Sequence, residues 1–500
     1  MDRAHDDADD RSGAVTPRGG GSDFLQLSPA DAPPGGITEW LARRLRGAIA
    51  DGRLPVGSRL PATRVLAAEL RVSRGVVTEA YQRLSEDGHV AGRGRNGTVV
   101  VAAPVSPPDG GDARQRPDGG PLFTAAPGPA AFDALRTAPA RVDLSPGAPD
   151  LAAFPRAAWL RAERAVLADM PAASLKYGDP RGLPELRGAV ARWLARNRGI
   201  ACDPADILIT SGVAQGIGLI ADVLRREDVT AMAFEEPGSL GVRQHLVAGG
   251  FTTPPVRVDA QGVRVDDLLA CGARAVLLTP AHQFPTGVVL GGERRRALMR
   301  WAADGGLIVE DDYDAEHRYG RPPAPALRAM LGDRVCYAGS VSKLLAPALR
   351  IGWLVAPARH REALVTAKRF ADLGNAALPQ LVLARIMESG ALERHLRVLR
   401  TRHRRRRDVM IEAVRAHLPG AVVHGAAAGL HLMVTFGGDA AWDDRTLAEA
   451  ALELGVKAHP LSWHRQLPGP PGLVMGYASS GTADITEGVA LLGKALARVA

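Results

Sequence analysis

Cysteine is scarce. Only Cys202, Cys271 and Cys336 occur in 500 residues, far apart and without the short spacings that hold a metal. Neither a disulfide framework nor a metal site is expected, and a reducing cytoplasm fits. No apolar run is long enough to span a bilayer. The N-terminus, with Asp6, Asp7, Asp9 and Asp10 and no apolar core, is not a signal peptide. A cytoplasmic protein with no membrane partner is therefore the expectation. A strong excess of one charge sign is also lacking: 62 basic against 54 acidic residues give +8, so the placement of charge matters more than its total. With 46% apolar residues and a length beyond one hydrophobic core, two or more domains are expected.

Residues 1–35 are rich in Gly, Pro and Asp and read as a disordered tail. From there to residue 101 the pattern changes. A helix with Thr38 as N-cap buries Trp40, Leu41, Leu45 and Ile49 at helical spacing. A second runs from about Ala62 to Leu70, and a third, capped by Ser73, to about Glu86 with Val77, Ala80, Tyr81 and Leu84 inward. Two short strands, 89–91 and 98–101, flank a Gly/Arg-rich tip. This is the layout of a winged helix-turn-helix over residues 36–101. Eleven Arg against six Asp or Glu leave this small segment at +5, the electrostatic footprint of a double-stranded DNA partner. Ser73, Arg74 and Thr78 open the helix that would meet base edges, Arg64 would approach the backbone, and Arg93 and Arg95 would enter the minor groove from the wing. A plain three-helix module with a solvated Arg face is the bland reading of the same residues.

Residues 102–138 are again Pro and Gly rich and read as a linker. From 139 to 500, short apolar runs alternate with helical segments, the pattern of an α/β domain with a mostly parallel sheet. A smaller C-terminal subdomain is expected over about 390–500. Strands are expected at 207–209, 231–234, 275–278, 307–309, 335–338 and 353–355, nearly all followed at once by a polar or glycine cluster. In such sheets, ligands collect beyond the carboxyl ends of the strands.

The chemistry lies in those clusters. Gly339–Arg350 places Lys343 between Ser340 and Ser342, with Arg350 close behind. The two hydroxyls and the planar guanidinium suit a phosphate dianion, and the amine suits an aldehyde carried by the same molecule. This combination points to pyridoxal 5'-phosphate (PLP) held as a Schiff base on Lys343. Gly212, Ala214 and Gln215 at the start of a helix would add backbone and side-chain donors to the phosphate. Residues 216–221 also match a dinucleotide fingerprint, with Glu235 near the expected acidic position, but these glycines fall inside the helix rather than in its entering turn. Asp311 is assigned to the pyridine nitrogen and Tyr313 to the ring's phenolic oxygen, with Glu310 and Asp312 as alternative carboxylates. His282 is either a pocket acid–base or a structural histidine. Tyr177 would reach the site from the same or a partner subunit. The basic run Arg402, Arg404, Arg405, Arg406 and Arg407 fits a solvated or dimer-facing helix, or one that touches DNA phosphates.

Two resemblances follow from these phrases. Leu60–Ala67, Val72-Ser73-Arg74 and Ala80–Gly88 resemble the signature of the GntR family of bacterial regulators, with Gly75 where that family usually carries a polar residue. The clusters from about 140 onward resemble fold-type I aminotransferases. Tyr177–Pro180, His282–Gly287 and Glu310–Asp314 are similar to the forms found in the MocR (GabR-like) subfamily. The resemblance implies a PLP-sensing transcriptional regulator, usually a homodimer, responding to PLP, an amine or an amino acid. A working aminotransferase with an ancillary DNA-binding head is the alternative. Two departures favour sensing. Ser239 stands where an aromatic usually stacks on the PLP ring, a loss on the order of 1 kcal/mol. No arginine follows Arg465 near Leu473–Tyr477, where an enzyme would grip a substrate carboxylate.

Overall fold

Apolar residues spaced three and four apart fold the first segment. The computed structural model describes residues 27–94, 97–102, 122–319, 325–437 and 442–500, in two units, 1–119 and 120–500. In the first, α1 (Ile37–Ala50), α2 (Thr63–Leu70) and α3 (Arg74–Glu86) bury Leu41, Leu45, Leu66, Val77, Ala80 and Leu84 in one core. Strands β1 (Val90–Gly92) and β2 (Thr98–Val100) pair antiparallel, with Val90 opposite Val100. Ser73 caps α3 by accepting from the Val76 N–H at 3.4 Å, and the Tyr81 hydroxyl donates to the Pro61 carbonyl at 2.8 Å.

Three expectations need correction. Thr38 is not the cap of α1: the helix starts at Ile37, whose side chain packs on the core, and Gly36 is the N-cap. The tail is folded from residue 27, with a 3₁₀ turn at Pro29–Asp31 and Leu27 and Ala32 against the same core; residues 1–26 lie outside the described residues. The linker call also fails for 122–138, where α4 (Ala131–Thr137) forms and Phe123 and Leu135 enter a core. Their apolar side chains find partners that the Pro/Gly composition hides. Residues 103–121 and Arg95 lie outside the described residues.

In the second unit a short strand, β3 (Val142–Asp143), precedes the main sheet. That sheet comprises β4 (Ile207–Thr210), β5 (Met232–Glu236), β6 (Pro255–Asp259), β7 (Gly262–Val263), β8 (Ala275–Leu278), β9 (Leu307–Asp312), β10 (Val335–Ser340) and β11 (Gly352–Val355). Their spatial order is β4-β11-β10-β9-β8-β5-β6-β7. The centre is parallel, while β11 runs antiparallel to β10 and β4. The interior strands β5, β8 and β10 are buried throughout, as their near-continuous apolar runs require. A second sheet contains β12 (Val422–His424), β13 (His431–Thr435), β15 (His459–Pro460) and β16 (Gly472–Gly476), while β14 (Val456–Lys457) pairs with β3. The helices Ala391–His417, Asp444–Glu453 and Thr482–Val499 contribute to the core of this C-terminal part. No helix among the described residues is long and apolar enough to cross a membrane.

Candidate functional site

The carboxyl ends of β4, β9 and β10 open on one cavity of about 490 Å³. One corner is built for an anion. After β4, Gly212 takes φ +86°, and a Cβ there would meet the Arg350 guanidinium at 3.0 Å, so only glycine leaves this cradle open. The helix Val213–Arg226 then starts with Val213 and Ala214 on the cavity wall, its free N–H groups and dipole favouring negative charge. Ser340 and Ser342 line the same corner from the end of β10. Arg350, in the left-handed region at φ 52°, donates to the Ser211 carbonyl. Gln215 does not join them. Its Oε1 accepts from the Ser211 N–H at 2.8 Å and from Lys368 Nζ at 2.9 Å, and its amide donates to Asp372 at 2.7 Å. The next helical position simply turns away from the cavity.

Lys343 lines the cavity, and its amine donates to the Gly147 carbonyl. Burial pushes its pKa below the usual lysine value, against the pull of Asp314 and Asp311.

Alternation along β9 separates the three carboxylates. Glu310 accepts from the Leu327 and Arg328 N–H groups, both at 3.0 Å. Asp312 Oδ2 takes Arg198 Nε at 2.5 Å and the Tyr337 hydroxyl at 2.6 Å. Only Asp311 lines the cavity. Its Oδ1 is buried without a hydrogen-bond partner, and burial and the neighbouring Asp312 push the carboxyl up to about 7. Tyr313 also faces the cavity, held a hydroxyl by burial and the nearby carboxylates Asp314 and Asp311.

His282 sits behind Tyr313 rather than on the wall. Its Nδ1 lies 2.9 Å from both Asp314 Oδ2 and the Tyr313 hydroxyl. His282 and Asp314 together hold the Tyr313 hydroxyl in place at the cavity edge. His282, Asp314 and His431 bring ligand-type atoms within 4.8 Å of one another, a cluster that no spacing in the sequence announces. Tyr177 is 90% exposed and does not line the cavity of its own chain.

The rest of the lining shows little signal in the sequence beyond the 280–287 cluster, which carries Phe284. Phe132, Phe284, Leu430, His245, His431, His459 and His464 form much of it. Burial drives His431 down to about 3 and His459 to about 4, so both are neutral imidazoles near pH 7. Of the described lining residues, Lys343 and Arg350 are the only lysine and arginine.

The glycines of the rival fingerprint are packing sites: a Cβ at Gly216 would strike Leu354 at 2.8 Å, and one at Gly218 would meet His245 at 3.0 Å. Glu235 is buried and accepts from the Thr279 N–H at 3.0 Å and its hydroxyl at 2.6 Å. The arginine run divides likewise. Arg406 and Arg402 pair with Asp150 at 2.9 and 3.3 Å, Arg407 lies 4.7 Å over the Tyr319 ring, and Arg404 and Arg405 are exposed.

In the first unit, Arg64, Ser73, Arg74, Thr78 and Arg93 are all exposed. The Thr78 hydroxyl donates back to the Arg74 carbonyl at 2.9 Å. Arg43, Arg44, Arg46, Arg53 and Arg83 are tied to carboxylates. Arg59, Arg64, Arg71, Arg74 and Arg93 have no carboxylate partner among the described residues, and Arg74 Nε donates to the Thr63 hydroxyl at 3.4 Å.

Residues 140–460 match the model of aminotransferase class I and II, and residues 37–100 that of the gntR family of bacterial regulatory proteins. The chain is 32% identical over 470 residues to the probable rhizopine catabolism regulatory protein MocR of Rhizobium meliloti, covering 92% of this chain and 93% of that one. It is 30% identical over 462 residues to the pyridoxine biosynthesis transcriptional regulator PdxR of Corynebacterium glutamicum, with 91% and 94% covered. Among solved structures, an archaeal alanine:glyoxylate aminotransferase superposes with a TM-score of 0.67 at 26% identity, covering 75% of this chain and 97% of that one. The kynurenine aminotransferase of Pyrococcus horikoshii, in complex with PMP, gives 0.66 at 26% identity, with 73% and 93% covered. With a GntR head, an aminotransferase class I and II body and regulators of the same build as relatives, the chain belongs to the MocR subfamily of transcriptional regulators.

Proposed function

We propose that the body binds PLP in this cavity and that the head binds operator DNA in a manner that depends on cavity occupancy. The observation that carries the reading is the convergence of Lys343, the orphaned Asp311 oxygen and the anion corner on one cavity. When bound, PLP supplies an aldehyde that condenses with a primary amine. Gly212, Ala214, Ser340, Ser342 and Arg350 would hold its phosphate, and Asp311 would accept from the ring nitrogen. Tyr313, oriented by His282, would donate to the phenolic oxygen. The lowered pKa of Lys343 keeps more of its amine in the reactive, uncharged form.

Sensing is favoured over turnover because the described lining holds no arginine besides Arg350, so an incoming carboxylate would meet no guanidinium of its own. A homodimer is part of the reading: Leu160, Leu167, Leu175, Tyr177, Phe370 and Leu373 are exposed apolar residues of the body, and Tyr177 would serve a partner's cavity.

Titration of the protein with PLP, followed by visible absorbance, should give saturable binding that Lys343→Ala abolishes, and operator affinity should change with occupancy. In a coupled assay with amino acids and keto acids, rapid multiple turnover would overturn the sensing reading. In the head, Arg74→Ala should weaken operator binding by about 1–3 kcal/mol if it reads a base edge.

A further inference from the structure

Residues 122–138, part of the stretch read from composition as linker, are fastened beside the cavity instead. On one side, Phe123 stacks on Trp463 with centroids 5.4 Å apart, the Trp463 indole N–H donates to the Thr124 carbonyl at 3.3 Å, and Lys457 Nζ donates to the Arg136 carbonyl at 2.9 Å. Trp463 and Lys457 belong to the C-terminal part. On the other side, Gln244, on the helix Leu240–Ala248 that follows β5, donates to the Pro127 and Gly128 carbonyls at 2.8 and 3.1 Å. The two sets of anchors adjoin, since Arg243 donates to the Trp463 carbonyl at 3.1 Å and the Leu240 N–H to His464 Nδ1 at 3.3 Å, so the segment ties the helix Leu240–Ala248 to the C-terminal part beside the cavity.

It also enters the site. Phe132, on α4, lines the cavity. Its ring lies 5.2 Å from His459 at 29° and meets Trp463 edge-on at 5.9 Å. Gly241 makes room, since a Cβ there would already stand 3.4 Å from the ring. Two residues earlier, Ser239 offers the cavity only a small side chain, and its hydroxyl is occupied as a helix cap, accepting from the Val242 N–H at 3.5 Å.

We propose that Phe132 presents to a flat, conjugated ring in the cavity the aromatic contact that Ser239 does not supply, and that segment 122–138 is a strap whose fastening responds to occupancy. The inference rests on the reading that the ring is PLP. A ring that gains the Phe132 contact only when the strap is closed must stabilise the closed strap by the same free energy, because linkage is reciprocal. Occupancy is thereby passed to the segment that leads back toward the head.

The test uses the full chain, with PLP as the probe. Phe132→Leu keeps apolar volume without the ring, Phe132→Ala removes both, and Phe132→Trp restores an aromatic. Phe132→Leu should weaken PLP binding about two- to tenfold, and Phe132→Trp should recover most of it. In hydrogen–deuterium exchange, peptides from 122–138 of the wild type should slow on adding PLP, and this slowing should vanish in Phe132→Leu and Phe132→Ala. A purely structural Phe132 would speed exchange equally with and without PLP. That outcome, or unchanged affinity in Phe132→Leu, overturns the proposal while leaving PLP binding standing. A wild type that takes up no PLP overturns both.

Discussion

The two ends of the cavity are built by different rules. The anion corner comes from residues close together in sequence, 210–214 and 339–350, placed by strand ends and one helix start, and it is charged and rich in donors. The far end is collected from Phe132, Phe284, His431, His459 and His464, drawn from both sheets' surroundings and from the strap, and it is aromatic, its buried histidines held neutral by burial. If PLP is the ligand, the first end answers to a fixed group, a phosphate on a ring. Apart from Phe132, the second meets no part of that fixed group, so no local motif is forced on it. Effector choice should therefore change by scattered substitutions that leave the anion corner intact.

Each prediction presses on that division. The largest effect is expected for Lys343→Ala, which should eliminate covalent PLP capture and the visible absorption that accompanies it. Next, Arg350→Ala should weaken PLP about ten- to a hundredfold, the scale of a lost charge-assisted hydrogen bond, while pyridoxal, lacking the phosphate, should lose little affinity in the same titration. Asp311→Asn should have a smaller effect on affinity, but a clear one on pH dependence. Burial holds the Asp311 proton up to about 7, whereas an unfolded aspartate releases it near pH 4. Stability from this group in the empty protein is present at low pH and falls as pH rises through 7. Thermal melts at acidic and alkaline pH should show a shallower loss in the variant. Smallest of all, His459→Leu at the far end should leave PLP affinity within about twofold. If it matched Arg350→Ala, the division between the two ends would fail.

What could be read in the sequence follows the same line. Strand-end clusters were legible because an apolar run marks the strand and the next residues must face the cavity. The choice among Glu310, Asp311 and Asp312 stayed open because alternation fixes only relative facing. It took the partners Leu327, Arg328, Arg198 and Tyr337 to show which side is the interior. Gln215 was misplaced for a helical version of the same reason, since one position along a helix turns a side chain by about 100°. Phe132 was missed because proline and glycine dominate its neighbourhood, and its aromatic partners lie more than three hundred residues away, at His459 and Trp463. Contacts of that range leave no periodic trace.

The left-handed backbone at Arg350 has a consequence for engineering. A side chain in that conformation is strained by roughly 1–2 kcal/mol, and glycine would relieve it. Screening for heat resistance alone would therefore reward Arg350→Gly, giving a sturdier body without the guanidinium of its anion corner. Any stabilised version of this regulator needs position 350 held fixed by a selection that reads ligand response as well as melting.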